Sequence, residues 1–282
     1  GENRATLFAR IDHALARASS IAQDRQSGQG NLFGFLDDRA TAAPEASISL
    51  PEWPESERLA SEKELLGIYV TGHPITPFLP LIEKFCTADT AKLAELPNRS
   101  MVRLGGLVSA TQQGISKKSN KPYAMTTLED LHGTVQVLCM NENYDKYRQF
   151  LVEGKPLLVT GEVNNSEDKP KIFPQEIMPL EDAPRHFTKQ IQIRLISARL
   201  TGPLLMELRD IVVAHAGKCP LILCIKHPNG AWGIIETNEK YSVAPTIELQ
   251  QAIVSRFGKH AFYAKADTTL PERAKRNWEK KE

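Results

Sequence analysis

The chain has little of several features that would assign it to a special class of protein. Its formal net charge is only +1, because 35 Lys and Arg residues face 34 Asp and Glu residues. A protein that binds nucleic acid along its whole surface is excluded, and any contact with phosphates must come from a local patch. No apolar run approaches the ~20 residues that cross a membrane. We therefore predict no membrane partner.

Cysteine is also scarce, and the four residues, Cys86, Cys139, Cys219 and Cys224, form no C-x-x-C pair. This spacing argues against a disulfide framework or a zinc site and favours buried free thiols of a reducing cytoplasm. No spaced set of carboxylates or histidines indicates a catalytic or metal site, so we predict no catalytic residue and no cofactor in this chain. The first residues, Gly1-Glu2-Asn3-Arg4, lack an initiator Met and a signal-peptide pattern, which predicts a piece of a longer protein.

Residues 1–26 carry apolar side chains at the spacing of one helical face, for example at Leu7, Ile11, Leu15 and Ile21. This pattern predicts an amphipathic helix. Little sequence follows that could cover its apolar stripe, so we expect the stripe to pack against residues upstream of the chain.

Residues 27–52 combine a short apolar insert with a linker rich in Ala, Pro, Glu, Ser and Thr. Leu32 and Phe33 lie on a Gly-rich segment without a core of their own, which predicts a peptide that docks into a groove on a partner. Gln29 would fix the register by hydrogen bonding. Alternatively, Leu32 and Phe33 fold back onto the neighbouring helix.

Residues 53–98 form a predicted helical connector. A helix with acidic first turns begins at Pro54 and ends near Gly67, and the turn Gly72-His73-Pro74 follows. Two short helices are predicted over 78–85 and 88–96. His73 has no second candidate ligand nearby, so we interpret it as a turn residue rather than a metal ligand.

Residues 99–180 alternate between apolar and polar positions in five segments, with a helix predicted after the third. Five strands with a helix between the third and fourth is the order of the OB fold, a small barrel that commonly binds single-stranded nucleic acid. Gly105 and Gly106 would let the first strand bend across a barrel corner. Tyr144, Tyr147 and Leu151 share one helix face and can plug the end of the barrel.

Two loops of this barrel carry basic residues beside aromatic ones, the combination used in sequence-tolerant binding of single strands. Alternatively, the loop lysines are solvated and the two rings belong to the core. The predicted DNA-binding residues are Lys117, Lys118, Lys121, Tyr123, Lys169, Lys171 and Phe173.

Residues 185–282 alternate between strands and helices, with helices over 203–216 and 246–257 and one of the strands over 241–244. Such an order predicts a small α+β domain with two helices on one side of a sheet. The fold class is therefore α+β and multidomain: a helical N-terminal segment, a five-stranded OB-fold barrel and an α+β C-terminal interaction domain.

Several of these segments resemble known proteins. The pattern Gln-x-x-Leu-Phe at 29–33 resembles the peptide by which bacterial replication and repair proteins hold the beta sliding clamp. The runs Leu59 to Pro74 and Lys121 to Asp130, with Gly133, resemble the alpha subunit of bacterial DNA polymerase III, and the last domain resembles its extreme C-terminal domain.

The resemblance implies the C-terminal region of such a subunit, which supports template-directed DNA synthesis. Its implied partners are the beta sliding clamp, single-stranded template DNA and the tau subunit of the clamp loader, which the last domain contacts in some members. The parent enzyme uses Mg²⁺ held by carboxylates that lie upstream of Gly1 in the resemblance. The alternative is an OB-fold module of a tRNA-binding enzyme or a free single-strand-binding protein, and the peptide at 29–33 and the segment at 62–74 argue against it.

Overall fold

The computed structural model of the chain describes residues 3–26, 50–117, 120–166 and 169–273. The chain divides into two compact units, Gly1–Pro74 and Ile75–Glu282. The predicted connector over 53–98 is therefore shared between the units. The described part of the first unit consists mainly of helices α1 (Arg4–Ala9), α2 (Ile11–Gln26) and α3 (Glu55–Leu66).

The N-terminal helix is interrupted, whereas the sequence predicted one helix. The N–H of Arg10 donates to the carbonyl of Leu7 at 3.2 Å, closing α1, and α2 begins at the next residue. The apolar stripe is present but mostly exposed; its exposed members are Leu7, Phe8, Ile11, Leu15 and Ile21.

The buried carboxylate of Glu62 organises the first unit. It accepts hydrogen bonds from the amides of Val70 and Thr71, both at 2.9 Å, and from the Thr71 hydroxyl at 2.8 Å. The guanidinium of Arg4 on α1 donates to it at 2.8 Å. These bonds hold the chain that reverses after α3, where Gly67 has the left-handed φ of 76° typical of a helix C-terminus.

The second unit opens with a 3-10 turn at Thr76–Phe78, α4 (Leu79–Phe85) and a further 3-10 turn at Leu93–Glu95. The helix predicted over 88–96 is wrong. The amide of Thr90 donates to the carboxylate of Asp130 at 2.8 Å, and the Asp89 carboxylate accepts from the amide of Lys92 at 3.0 Å. The segment forms turns instead of a regular helix, and the bond to Asp130 ties it to the barrel as a brace.

Five strands close into the predicted OB-fold barrel, which confirms this part of the fold class. The order around the barrel is β1-β2-β3-β5-β4, and α5 (Glu142–Tyr147) lies between β3 and β4 in sequence. Tyr144, Tyr147 and Leu151 are buried in the barrel core, as their spacing predicted. The strands are β1 (Met101–Ile115), β2 (Pro122–Glu129), β3 (Thr134–Met140), β4 (Pro156–Asn164) and β5 (Lys171–Pro179).

Strand β1 pairs with β4 over its first half and with β2 over its second half, and the two pairings meet at Leu107. Glycine is required just before this point. A Cβ on Gly106 would lie 2.7 Å from Cγ of Leu128, and one on Gly105 would lie 2.9 Å from Cγ1 of Ile82 on α4. The missing side chains let β1 close the barrel beneath α4.

The C-terminal domain is a four-stranded sheet of order β10-β6-β8-β9, in which β6 and β8 are parallel and the other pairs antiparallel. A buried cluster joins α7 and α8 to one face of the sheet, which confirms the predicted α+β arrangement. The elements are α6 (Ala183–Phe187), β6 (Thr188–Ile196), α7 (Gly202–Ala214), β7 (Ala216–Cys219), β8 (Leu221–Lys226), β9 (Trp232–Glu236), α8 (Ile247–Phe257) and β10 (Phe262–Ala266).

The strand predicted over 241–244 is wrong. A 3-10 turn occupies Glu239–Tyr241, and only Val243 makes isolated bridges, to Ala216 and Cys219. Val243 is fully buried, so this apolar residue reflects a place in the core and not a strand.

A buried arginine joins the barrel to the C-terminal domain. Arg103 on β1 is 2% exposed, and its guanidinium donates to the carbonyls of Asp267 at 2.8 Å and Thr269 at 2.9 Å. The guanidinium carbon lies 3.6 Å from the ring centroid of Phe187 on α6. Residues at both ends of the C-terminal domain therefore contact one side chain of the barrel.

We expect Arg103→Met to lower the free energy of unfolding of the second unit by about 2 kcal/mol or more, because hydrogen bonds from a charged donor disappear and carbonyls lose their partner. Urea unfolding followed by circular dichroism measures this. Arg148→Met, at an exposed position on the same barrel, is the matched control. Equal stability of the two variants would contradict the role given to Arg103.

The hydrogen bonds to Glu62, chiefly that from Arg4, lower the pKa of its carboxyl to about 2. A lowered pKa in the folded state stabilises the fold above the unfolded pKa of about 4.3, and this stabilisation is lost as the pH falls towards 2. We expect Glu62→Gln to destabilise the first unit at pH 7 and to matter less and less below pH ~4. Urea unfolding followed by Trp53 fluorescence, with the other two tryptophans changed to Phe, measures the difference. A penalty independent of pH would contradict this account.

Candidate nucleic-acid interface

The outer surface of strands β2 and β3 is an apolar strip. Tyr123 pairs with Met140 and Met125 pairs with Leu138, and all four side chains have the parity that points away from the barrel core. Their neighbours of opposite parity, such as Ala124, are fully buried inside. We call the four residues, together with Phe173 described below, the barrel face. The sequence analysis had singled out only Tyr123 and Phe173 in this set.

The ring of Tyr123 lies against Gly114 of β1. A Cβ on Gly114, its register partner, would lie 2.9 Å from the Tyr123 hydroxyl and 3.0 Å from ring carbons. The absence of a side chain at Gly114 therefore lets the ring settle on the strand while its other side stays partly accessible. Tyr123 is half-buried, so neither of the two interpretations of this ring, core or surface, is complete.

Phe173 reaches the same outer surface from β5. Lys171 pairs with Gln136 of β3, and Ile172, the next residue, is fully buried in the barrel core. Phe173 has the outward parity of Lys171 and is half-buried. The structure thus brings Tyr123 and Phe173, which are far apart in sequence, to one side of the barrel with the exposed parts of β3 between them.

The loop between β1 and β2 carries its lysines at a tight turn. The amide of Ser116 donates to the carbonyl of Lys121 at 2.9 Å, and the amide of Asn120 donates to the carbonyl of Ser116 at 2.8 Å. Lys117 and Lys121 are exposed. Lys118 lies outside the described residues. The geometry presents charge at the edge of the barrel face and fits both a solvated turn and a phosphate contact.

The loop between β4 and β5 is held at its base by the connector. The side-chain amide of Asn165 donates to the carbonyls of Leu93 at 2.9 Å and Leu96 at 2.7 Å, and its backbone amide donates to Asn98 at 3.1 Å. Lys169 in this loop is exposed, whereas Lys171 at the start of β5 is half-buried. The connector therefore positions a basic loop, a role that sequence patterns did not indicate.

No group of three or more His, Cys, Asp and Glu residues could hold a metal ion within the described ranges. The Mg²⁺ ions that the resemblance assigns to the parent enzyme have no set of ligands among these residues. The four cysteines are unbridged, and burial raises the pKa of Cys86 and Cys139 to about 12 and that of Cys219 to about 11. Such thiols are protonated and unsuited to nucleophilic chemistry at neutral pH.

Gln29, Leu32 and Phe33, the predicted clamp-binding residues, lie outside the described residues. Their role stays a prediction, as do the roles of the seven predicted DNA-binding residues. In the part of the chain that the structure describes, no helix is both long and apolar enough to cross a membrane.

The barrel matches a known class of domain. A family model for the OB-fold nucleic acid binding domain matches residues 102–180, which are the strands of the barrel and their connections. Among solved structures, a small single-stranded DNA-binding protein from Streptomyces coelicolor covers 29% of this chain and 95% of its own, at 15% identity and a TM-score of 0.24. A TM-score this low supports no conclusion beyond the strand order already described.

The matches to curated relatives extend beyond the barrel and point to one family of proteins. DNA polymerase III subunit alpha from Escherichia coli K12 is 30% identical over 227 residues, which are 79% of this chain and 20% of the relative. The Vibrio cholerae subunit is 28% identical over 81% of this chain and 20% of its own length. The Pasteurella multocida subunit is 26% identical over 93% of this chain and 23% of its own.

The homologues of this chain are thus DNA polymerase III alpha subunits, which confirms the resemblance. The chain spans about a fifth of their length.

Proposed function

We propose that this chain is the C-terminal part of a replicative DNA polymerase alpha subunit and that its barrel face holds the single-stranded template during DNA synthesis. The observation that carries the proposal is the placement of Tyr123 and Phe173 on one outer surface, with lysine-bearing loops at hand. The homology to alpha subunits supplies the biological context.

The chemistry of the barrel face suits a strand of any sequence. Aromatic rings offer stacking surfaces that accept every base, and each stacked base contributes about 1–3 kcal/mol by alanine substitution. Met125 and Leu138 add apolar area between the rings. Lys117, Lys121 and Lys169 lie where phosphates of a bound strand can be reached. Few lysines are involved, so the binding is weak and salt-dependent.

Weak binding is useful if a second contact tethers the chain. We propose that the segment with Gln29, Leu32 and Phe33 docks to the beta sliding clamp, which raises the effective concentration of the polymerase at the primer end. This part of the proposal rests on the sequence pattern and its resemblance to clamp-binding peptides. The tau subunit of the clamp loader is the proposed partner of the C-terminal domain, and the cytoplasm is the proposed location.

The alternative functions were an OB-fold module of a tRNA-binding enzyme and a free single-strand-binding protein. Either would resemble other proteins mainly through its barrel. The matches to alpha subunits instead extend over 79–93% of this chain in the three relatives described above, which favours the polymerase context.

We expect single-stranded oligonucleotides to bind the chain, and Lys117→Ala with Lys121→Ala to flatten the salt dependence by about 0.7 for each phosphate that is no longer neutralised. A salt titration by fluorescence anisotropy measures the slope. Lys155→Ala with Lys218→Ala removes the same charge at exposed positions outside the barrel face and its loops. Identical slopes for the two double variants would show that the loop lysines are solvated and do not contact phosphates.

The same binding experiment tests the contribution of the Tyr123 ring separately. Tyr123→Ala should weaken binding by about fivefold to a hundredfold, since a stacking platform is removed. Tyr123→Phe keeps the ring and should bind almost as the parent does. Equal loss of affinity in both variants would show that the hydroxyl, not the ring, makes the contact.

For the clamp, we expect Leu32→Ala with Phe33→Ala to remove most of the affinity, because buried anchor residues cost about 2 kcal/mol or more each when truncated. Anisotropy of the labelled chain titrated with the beta sliding clamp measures this. Phe35→Ala with Leu36→Ala removes the same two residue types from the same segment and should leave the affinity unchanged. Equal effects of the two double variants would show that Leu32 and Phe33 are not the clamp-binding residues.

A further inference from the structure

The four-stranded sheet has a second face, opposite the one that α7 and α8 cover. It is built from alternate residues of the strands, and register pairs place Lys226 opposite Trp232, Cys224 opposite Ile234, and Tyr263 opposite Gln192. Trp232 is 51% exposed, Ile234 69% and Tyr263 45%. We call this surface the open sheet face. It carries two large aromatic rings on the two outer strands.

Each of these rings has a cation against it. The guanidinium carbon of Arg194 lies 4.6 Å from the ring centroid of Tyr263, and Nζ of Lys226 lies 5.9 Å from that of Trp232. Cation–π contacts hold a ring in place while the charge of the cation stays available to a ligand. A base stacked on such a ring would have its phosphate close to a positive charge.

A cavity of about 550 Å³ continues the open sheet face at the end where Arg194 and Trp232 lie. A second cavity, of about 300 Å³, shares these two residues and extends along the strands past Cys224 and Ile234. Among the residues that the structure describes, no carboxylate lines either cavity. The basic residues that line the larger one are Arg194, Arg199, Lys226, Arg256, Lys259 and His260.

Of the arginines and lysines in this cavity, only one is paired with a carboxylate within the described chain. Arg256 pairs with Glu207 on α7, whereas Arg199 and Lys259 form no ion pair with any described residue. The whole chain has a net charge of only +1, so this is a local concentration of positive charge. Glu236, the acid on the open sheet face, lies four residues along β9 from Trp232.

We propose that the open sheet face and its larger cavity bind single-stranded nucleic acid, as a site separate from the barrel face. Bases stack on Trp232 and Tyr263, and phosphates contact Arg199 and Lys259 in the cavity. This goes beyond the function proposed above, which gives the C-terminal domain a protein partner only.

The composition of the surface favours a nucleic acid over a protein. Protein interfaces also use Trp, Tyr and Arg, but they are depleted in lysine. Lys226 and Lys259 lie in the cavity, and Lys265 has the open-face parity on β10, opposite Gln190. A carboxylate-free cavity lined by several cations fits a ligand with repeated negative charges, and exposed rings fit one with flat bases.

The test uses the full chain with the barrel loops neutralised by Lys117→Ala, Lys121→Ala and Lys169→Ala. Trp53→Phe and Trp278→Phe leave Trp232 as the only tryptophan, and its fluorescence reports on the open sheet face directly. A thymidine oligonucleotide of about 12 residues, within the site sizes of single-strand binders, is titrated at low salt. We expect the fluorescence of Trp232 to be quenched with a saturable, salt-dependent profile.

Two further variants in this background locate the site of binding. Arg199→Ala with Lys259→Ala should weaken binding about tenfold or more and flatten the salt slope by about 0.7 for each phosphate that is no longer neutralised. Lys218→Ala with Lys240→Ala, which removes equal charge outside the open sheet face, should do neither. Tyr263→Ala should weaken binding about fivefold or more because a stacking surface is removed.

Three kinds of result would overturn the proposal. The first is no quenching of Trp232 by the oligonucleotide, or equal slopes for the two charge variants. The second is equal quenching by a duplex of the same length, which would remove the assignment to single strands. The third is quenching by a polyglutamate peptide but not by the oligonucleotide, which would assign the surface to an acidic protein.

Discussion

The second unit depends on the buried guanidinium of Arg103, which forms no ion pair with a carboxylate of the described chain. Burying an isolated cation is costly, and desolvation lowers the pKa of Arg103. The guanidinium is tolerated because the carbonyls of Asp267 and Thr269, and the ring of Phe187, replace water around it. These groups belong to the C-terminal domain. The barrel strand therefore cannot bury its arginine unless that domain is in place, and the domain cannot detach without exposing all of these groups together.

Strand alternation made the barrel predictable, because β2 and β3 bury one parity in a single core and turn the other outward. The same rule misleads at Arg103. Its parity on β1 indicates a solvated side chain, since Val102 and Leu104 fill the core. The carbonyls of Asp267 and Thr269, which accept from it, lie more than 160 residues away along the chain. Local sequence patterns hold no signal for such a long-range interaction. The segment over 88–96, where a helix was wrongly predicted, likewise depends on a long-range contact, from the amide of Thr90 to Asp130, 40 residues away.

The candidate sites were predictable to different degrees. Loop lysines and aromatic residues of the barrel could be named from strand order alone, although their roles stay predictions. Met125, Leu138 and Met140 were missed because apolar residues in strands are usually assigned to the core. The open sheet face was missed for a different reason. Arg199, Trp232 and Lys259 come from separate elements, and only the folded sheet brings them to one cavity.

Near-neutral overall charge gives this arrangement a physical logic. A uniformly basic chain would bind any DNA, including duplex, through its phosphates. Small basic patches beside exposed rings instead favour single strands, whose unstacked bases can stack on the rings. In both proposals, each patch alone binds weakly. Because Arg103 couples the barrel to the C-terminal domain, the barrel face and the open sheet face belong to one unit, and a strand bound at one raises its effective concentration at the other. Under the two proposals, two weak, sequence-tolerant sites would hold a moving template firmly without fixing any one nucleotide, which a single tight site could not do.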